Sequence, residues 1–269
     1  GGRPANSRQG KPVAGRDPRG LFTLAAAAVA GFSFLLLELV WYRMLAPILG
    51  GSTFTFGLIL ATALLGIGLG GLLYGRLPSD RPGSLGLFSS TCGLEALAIV
   101  APFALGDRLS IFSALLRSLD TLGFAGSVIG WSIVCGAVVL PAAIVSGFQL
   151  PLLIALSGSG SANAGRDVGR VCAFNTLGAI AGSLAGGFGL MPLLTAPGCW
   201  KLAAWLMVAL AVAAAFLARP VWLGPAAAAM AAVLLVRATG PTAVWRHSPI
   251  GAGRVSLVGK SRNEMKDWA

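Results

Sequence analysis

Residues 44–75, MLAPILGGSTFTFGLILATALLGIGLGGLLYG, contain no charged side chain. About 20 consecutive apolar residues are enough to cross the hydrocarbon core of a bilayer as a helix, and this run is longer than that. Five other uncharged runs reach or approach the same length, at residues 21–37, 121–165, 171–200, 202–218 and 220–236. The pattern predicts an all-α fold, a polytopic bundle of transmembrane helices.

The overall composition excludes a soluble globular protein. Hydrophobic residues make up 56% of the chain and charged residues 11%, against about 45–50% and about 25% in soluble domains. The net charge is +11, but the basic residues lie largely in two tails, so nucleic acid is not a predicted partner. Basic tails beside apolar helices are typical of contact with anionic lipid headgroups. We therefore expect the lipid bilayer as partner and a multi-pass location in the inner (plasma) membrane.

Three segments follow from the distribution of charges and turn-forming residues. Residues 1–20 form a basic leader rich in Gly, Pro and Ser, which we expect to be disordered. The leader differs from a signal peptide because the apolar stretch after it exceeds the about 7–15 residues of an h-region. Residues 21–236 form the helix bundle, and residues 237–269 form a basic linker. The cysteines and the single histidine lack the spacing of a metal or redox site, so we predict no metal ligand, no disulfide and no catalytic role for the histidine.

Hydropathy and turn residues predict seven spans. Six lie at residues 21–46, 54–74, 85–105, 171–194, 202–217 and 221–236, and the fourth lies within the uncharged stretch 121–165, of which residues 157–165 are expected to form a loop of small residues. A short helix lying in the membrane interface is expected at residues 107–120. The fourth span contains Pro141 and Pro151, so it is either one helix kinked by proline or a span followed by a re-entrant piece; we favour the kinked helix. Seven spans place the two basic tails on opposite sides, and eight spans is the alternative.

Two of the predicted helices carry glycines four residues apart. Gly66 and Gly70 lie in the second span, and Gly178, Gly182 and Gly186 lie in the fifth. Glycines at this spacing share one face and allow two helix backbones to approach closely, so we expect both helices to pack centrally. Their positions also fit a three-helix unit repeated in parallel, as in each half of a major-facilitator bundle. The alternative is that glycine is simply common in membrane helices.

Five polar residues are candidates for a site inside the membrane. Glu38 lies well within the first span, where a carboxylate must be neutral, paired or beside a polar cavity. Arg43 is too far round the same helix for an ideal pair and also fits an interfacial anchor, so Arg170 or Asn175 of the fifth span is expected to meet Glu38. Glu95 lies near the middle of the third span. Two buried carboxylates suit an amine or a proton as the species handled; the alternative is a structural ion pair or hydrogen bond.

Two stretches of the sequence together resemble one family. Residues 38–45, ELVWYRML, followed by Gly50-Gly51-Ser52 and residues 63–71, ALLGIGLGG, are similar to the opening of bacterial membrane proteins in which a major-facilitator-like domain is fused to a spermidine-synthase-like domain. Residues 169–186, GRVCAFNTLGAIAGSLAG, resemble the fifth-helix signature of the same family. The resemblance covers residues 21–217.

The resemblance implies a membrane part that anchors a soluble, Rossmann-type aminopropyltransferase domain beyond the linker. Decarboxylated S-adenosylmethionine would belong to that domain, so no cofactor is expected in residues 1–269. The implied small-molecule partner is a polyamine or a similar cation, handled by a polar network of Glu38, Arg43 and Asn175. The alternatives are a free-standing transporter-like protein for a small cation and a purely structural anchor. The oligomeric state is not predicted.

Overall fold

The computed structural model of this protein describes residues 18–78, 83–158, 164–218 and 222–242, together with Trp245. These residues form nine α-helices and no strand: α1 (Pro18–Leu49), α2 (Thr53–Gly75), α3 (Leu85–Leu105), α4 (Arg108–Leu116), α5 (Phe124–Val138), α6 (Leu140–Ser157), α7 (Ala164–Ala185), α8 (Met191–Leu217) and α9 (Leu223–Arg237). A 3-10 helix (Arg117–Leu122) follows α4, and a π-helical turn (Gly186–Leu190) joins α7 to α8. The leader is predicted to be disordered over residues 1–20, and this is wrong for Pro18, Arg19 and Gly20, which begin α1. Residues 1–17 lie outside the described residues, as does most of the linker.

Five helical segments of the described chain are long and apolar enough to cross a membrane. They are Arg19–Leu49, Thr53–Gly75, Leu85–Leu105, Leu140–Ser157 and the 54-residue segment Ala164–Leu217, which joins α7 to α8. Helices α5 and α9 are also apolar but have 15 residues each. The fold is therefore that of an all-helical, multi-pass membrane protein.

Helices α5 and α6 form one kinked helix. Val139, between them, keeps helical backbone angles, and its N–H donates to the Cys135 carbonyl at 2.8 Å. The Ala143 N–H in turn donates to the Val139 carbonyl at 3.0 Å. Pro141 lacks an N–H and its ring crowds the preceding turn, which bends the helix without ending it. Because α6 continues through Pro151 to its end at Ser157, the structure agrees with the kinked helix and not with a re-entrant piece.

A break inside α8 lies at Thr195. Its φ of 63° and ψ of 169° are not helical, and a β-branched residue is strained at positive φ. After the break, the Trp200 indole N–H donates to the Ile99 carbonyl at 2.9 Å, and the Ser89 hydroxyl donates to the Ala211 carbonyl at 2.7 Å. This part of α8 therefore runs antiparallel to α3, and the predicted boundary between the fifth and sixth spans lies at the break.

The glycines of α7 lie against α1. A Cβ atom at Gly178 would collide with the Ala28 carbonyl oxygen, and one at Gly182 would collide with the Phe32 carbonyl oxygen. A Cβ atom at Gly186 would lie 2.9 Å from a methyl group one turn further along α1. Residue numbers along this contact increase in the same direction on both helices, so α1 and α7 are parallel and their backbones touch.

The glycines of α2 make an equivalent contact with α6. A Cβ atom at Gly66 would lie 2.5 Å from the Ala143 Cβ, and one at Gly70 would collide with the Ile144 carbonyl oxygen. These two helices are also parallel. Both glycine-rich helices are thus packing helices, and each has one close partner. The expectation that they pack centrally is wrong, because their remaining faces are exposed, at Leu64 and Leu72 of α2 and at Leu177 and Leu184 of α7.

The two glycine-rich helices run in opposite directions. Helix α2 returns antiparallel to α1, with the rings of Tyr42 and Phe56 5.6 Å apart at the turn between them, whereas α7 is parallel to α1. A three-helix unit repeated in parallel is therefore wrong for these helices. Three crossings leave the chain on the opposite side of a membrane, so a second unit of three must be inverted.

The short helix between the third and fourth spans forms as α4. It buries Leu109 and Ser113 against the bundle and exposes Phe112 and Leu115. Apolar residues on the outer side of a helix at the end of a bundle suit the membrane interface.

The start of the linker is docked on the bundle. The Asp107 carboxylate, at the end of α3, accepts hydrogen bonds from the Thr242 N–H at 3.0 Å, the Thr242 hydroxyl at 2.5 Å and the Trp245 N–H at 3.1 Å. The Trp245 indole is fully buried, and its N–H donates to the Met44 carbonyl of α1 at 2.6 Å. The chain after α9 is therefore held at one defined place.

Candidate functional site

A cavity of about 260 Å³ lies where α1, α2, α6 and α7 meet. Most of its wall is apolar and comes from side chains such as Phe34, Leu64, Ile67 and Leu150. Three polar side chains also line it: Glu38 from α1, Ser146 from α6 and Asn175 from α7. Of the described residues that line it, Glu38 alone is ionisable.

Glu38 lies deep within the predicted hydrocarbon region. At 1.5 Å of rise per residue it is about 16 Å from the end of α1 at Leu49. The side chain is half-buried. Because helical side chains lean toward the helix N-terminus, the carboxylate extends from Glu38 toward the turn of Phe34 and the cavity.

Gly31 provides the room for Asn175. A Cβ atom at Gly31 would collide with the Asn175 carbonyl oxygen and would lie 3.0 Å from the side-chain Oδ1. Asn175 therefore packs on the face of α1 that also carries Glu38, and Glu38 lies two turns further along this helix. The rise between the two positions is about 10 Å, and the lean of the Glu38 side chain shortens the gap. The pair can contact the two ends of one small, elongated ligand.

The polar groups of the cavity are unpaired. Within the described part of the chain, Glu38, Ser146 and Asn175 have no side-chain hydrogen-bond or ion-pair partner. An unsatisfied polar group away from water costs free energy, about 1–3 kcal/mol in proteins. Three such groups around one cavity therefore favour water or a polar ligand inside it.

The structure divides the predicted polar network. Arg43 lines a separate cavity of about 580 Å³ near the start of α8, and Arg170 is exposed. Because α7 is parallel to α1, with Asn175 beside Gly31, Arg170 lies on the side of Asn175 that is away from Glu38. Neither Arg43 nor Arg170 therefore lines the Glu38 cavity. Asn175 is the predicted candidate that shares the Glu38 cavity.

Glu95 lies in a different environment, between α3 and α6. Its side chain is 2% exposed, and the Gln149 Nε2 donates to its Oε2 at 2.6 Å. The Cys92 sulfur lies 3.8 Å from the same Gln149 nitrogen. The carboxyl group is thus paired with a neutral amide and not with a cation.

Sequence reasoning missed Ser146, which lines the Glu38 cavity, and Gln149, which contacts Glu95. The available signal was weak: both are polar residues in the otherwise apolar stretch that forms α6. A serine can satisfy itself on its own helix, so its presence alone does not predict a site. Which carboxyl group each residue approaches depends on the rotation of α6.

The described residues include no group of three or more His, Cys, Asp or Glu side chains that could hold a metal ion. All four cysteines carry free thiols. The chemistry of the cavity is therefore that of one carboxylate, one amide and one hydroxyl.

The chain matches no protein-family model, no curated protein and no solved structure. The resemblance carried by residues 38–45 and 169–186 stays a prediction.

Proposed function

We propose that this chain is the membrane domain of a protein that binds and handles a small organic cation, with Glu38 as the counter-charge. The observation that carries the proposal is the cavity itself: unpaired polar groups from α1, α6 and α7 line one space among apolar side chains. Intramembrane ionisable residues are rare and mark ligand or ion pathways.

The chemistry of the lining favours an amine. A carboxylate offers only acceptor atoms, and an amide oxygen and a hydroxyl oxygen add two more. An alkylammonium group supplies N–H donors and positive charge, and its methylene groups fit the apolar wall. A polyamine, the ligand class implied by the resemblance, combines these features in an elongated molecule.

The packing also supports seven crossings arranged as an inverted three-helix repeat. Contacts of α7 with α1 and of α8 with α3 indicate that the 54-residue segment is two spans joined at Thr195. An inverted repeat of three helices relates the first span to the fourth and the second span to the fifth. It therefore relates the α2–α6 pair to the α7–α1 pair, and both pairs are parallel. Inverted repeats of this kind surround central binding sites in transporters.

Binding and uptake of labelled spermidine test the proposal. Purified protein in nanodiscs is expected to bind spermidine saturably, and proteoliposomes that contain the protein are expected to take it up faster than empty liposomes. Binding without uptake in either orientation would leave a binding domain and remove the transporter alternative. Absence of saturable binding would overturn the proposal and leave a structural anchor.

A second candidate function is the anchoring of a soluble, aminopropyltransferase-like domain that follows the linker. The specific observation in its favour is the clamp of Asp107 on Thr242 and Trp245, which fixes the place where the chain leaves the bundle. An anchored catalytic domain needs such a fixed exit, whereas a simple tail does not. Decarboxylated S-adenosylmethionine would be the cofactor of that domain.

The Asp107→Ala substitution tests the clamp. It removes the shared acceptor of three hydrogen bonds, so the segment around Thr242 should open more often. We expect trypsin to cut at Arg237 about tenfold faster than in the wild type, because cleavage follows the population of the open form. Asp120→Ala is the matched control, since Asp120 is exposed and accepts a hydrogen bond from Ser127. Equal rates in all three proteins would contradict the clamp.

A further inference from the structure

The acid–amide contact of Glu95 with Gln149 lies on α6, the helix that also lines the Glu38 cavity. Ser146 and Leu150 of α6 line that cavity, and Gln149, between them, contacts Glu95 of α3. At about 100° of rotation per residue, Gln149 lies about 60° from Ser146 and about 100° from Leu150 around the helix axis. The two carboxyl groups therefore meet neighbouring faces of one helix.

We propose that Glu95 and Gln149 form a proton-binding site, and that its proton leaves when a cation enters the Glu38 cavity. The first half concerns these two residues alone. The second half rests on the proposed function, because it requires a cation in the cavity.

A proton on Glu95 completes the hydrogen bonding of the pair. Gln149 is 1% exposed, and its Oε1 has no hydrogen-bond partner. An ionised carboxylate can only accept, so it leaves this buried oxygen unpaired. A neutral carboxylic acid accepts from the Gln149 Nε2 on one oxygen and can donate its O–H to the Gln149 Oε1. One added proton thereby pairs both ends of the amide.

None of the basic side chains on the helices packed against α3 lies close enough to Glu95 to stabilise its ionised form. Of the helices packed against α3, α5 and α6 contain no basic residue, and their one ionisable side chain is Cys135. On α8, the Lys201 ammonium lies 5.4 Å from the Phe103 ring centre, about 12 Å of helix rise from Glu95. Arg108 of α4 and Arg237 of α9 lie toward the same end of the bundle. A buried carboxylate without an adjacent cation is strongly disfavoured.

A cation at Glu38 changes this balance in a defined direction. Positive charge on the neighbouring face of α6 favours the ionised form of Glu95 across a low-dielectric interior. The O–H bond of Glu95 then breaks, the proton passes to water, and the electron pair stays on the carboxylate. Cation entry and proton release are coupled in this way, and linkage requires that protonation of Glu95 weakens cation binding to the same degree.

Infrared difference spectroscopy tests the proton site without any ligand. Wild-type protein in nanodiscs at pH 7 is expected to show the carbonyl stretch of a neutral carboxylic acid, shifted on exchange into D2O. Glu95→Gln, which keeps the shape and the hydrogen bonds, should lose this band, and Glu38→Gln should retain it. Gln149→Met should shift the band, because the acid loses its acceptor. Identical spectra for wild type and Glu95→Gln would overturn the proton site, and an unshifted band in Gln149→Met would overturn the pairing.

Proton release on saturation with spermidine tests the coupling. In weak buffer, wild-type protein should release more protons per bound spermidine than the Glu95→Gln variant. The variant also serves as the control for protons that spermidine itself releases on binding. Equal release with normal binding would overturn the coupling and leave the proposed function intact. Absence of binding in the wild type would overturn the proposed function and, with it, the coupling, whereas the infrared result would still decide the proton site.

Discussion

Gly178→Val is expected to be among the most destabilising single substitutions in this protein. The Cβ atom of the new valine would overlap the carbonyl oxygen of Ala28, so α1 and α7 must separate along their whole contact. In lipid such contacts are a main source of helix association, because the tails are as apolar as the side chains. Overpacking of a close-packed contact costs about 1–3 kcal/mol or more, and we expect about 3 kcal/mol here.

The measurement is reversible unfolding in mixed micelles of dodecyl maltoside and SDS, followed by circular dichroism. Gly169→Val is the matched control: Gly169 lies in the same helix, is exposed, and a Cβ atom there would meet nothing within 4 Å. The control has the same change in helix propensity, so the difference between the two variants reports the contact. A difference below about 0.5 kcal/mol, the usual range for surface substitutions, would contradict the close packing of α1 on α7.

Glu38→Gln is expected to weaken spermidine binding by about 100-fold. The substitution keeps the size of the side chain and removes the one ionisable group among the described lining of the cavity. Removing one partner of a buried charge pair costs about 2–5 kcal/mol, and each 1.4 kcal/mol corresponds to a tenfold change in affinity. Equilibrium binding of labelled spermidine to protein in nanodiscs measures the change.

Two controls make this result specific. Asp120→Asn removes the same charge from an exposed position at one end of the bundle and should leave the affinity unchanged. Unfolding of Glu38→Gln in the same mixed micelles should remain within about 0.5 kcal/mol of the wild type, because the amide is isosteric with the carboxylate. Wild-type affinity in Glu38→Gln would place the cation elsewhere, and equal losses in Glu38→Gln and Asp120→Asn would indicate a general effect of charge.

The positions of the helices could be predicted because their signals are local. The third span, expected at residues 85–105, is observed as Leu85–Leu105. The Ser84 side chain accepts from the Leu87 N–H at 3.1 Å at its start, and Gly106, with φ of 51°, ends it. Both ends therefore depend on residues within a few positions of the boundary.

The residues that lie near Glu38 and Glu95 could not be predicted in the same way. Arg170 and Asn175 lie five positions apart on one helix, which is about 140° of rotation and about 7 Å of rise at 3.6 residues per turn. A small rotation or shift of α7 therefore decides which of them meets the cavity, and the position of Gly31 sets that register in favour of Asn175. The contact of Glu95 with Gln149 joins residues 54 positions apart.

The sequence by itself determined that this is a helical membrane protein and where its helices lie. It also determined which helix faces carry the glycines that allow close contact between backbones. These properties follow from backbone hydrogen bonds that must be satisfied within each helix in lipid. Only the tertiary structure decided that α7 packs on α1 and α2 on α6, and that Glu38 shares a cavity with Asn175 and Ser146. The reason is that apolar helices in lipid are matched by steric fit between remote surfaces, and no local pattern of residues records which surface fits which.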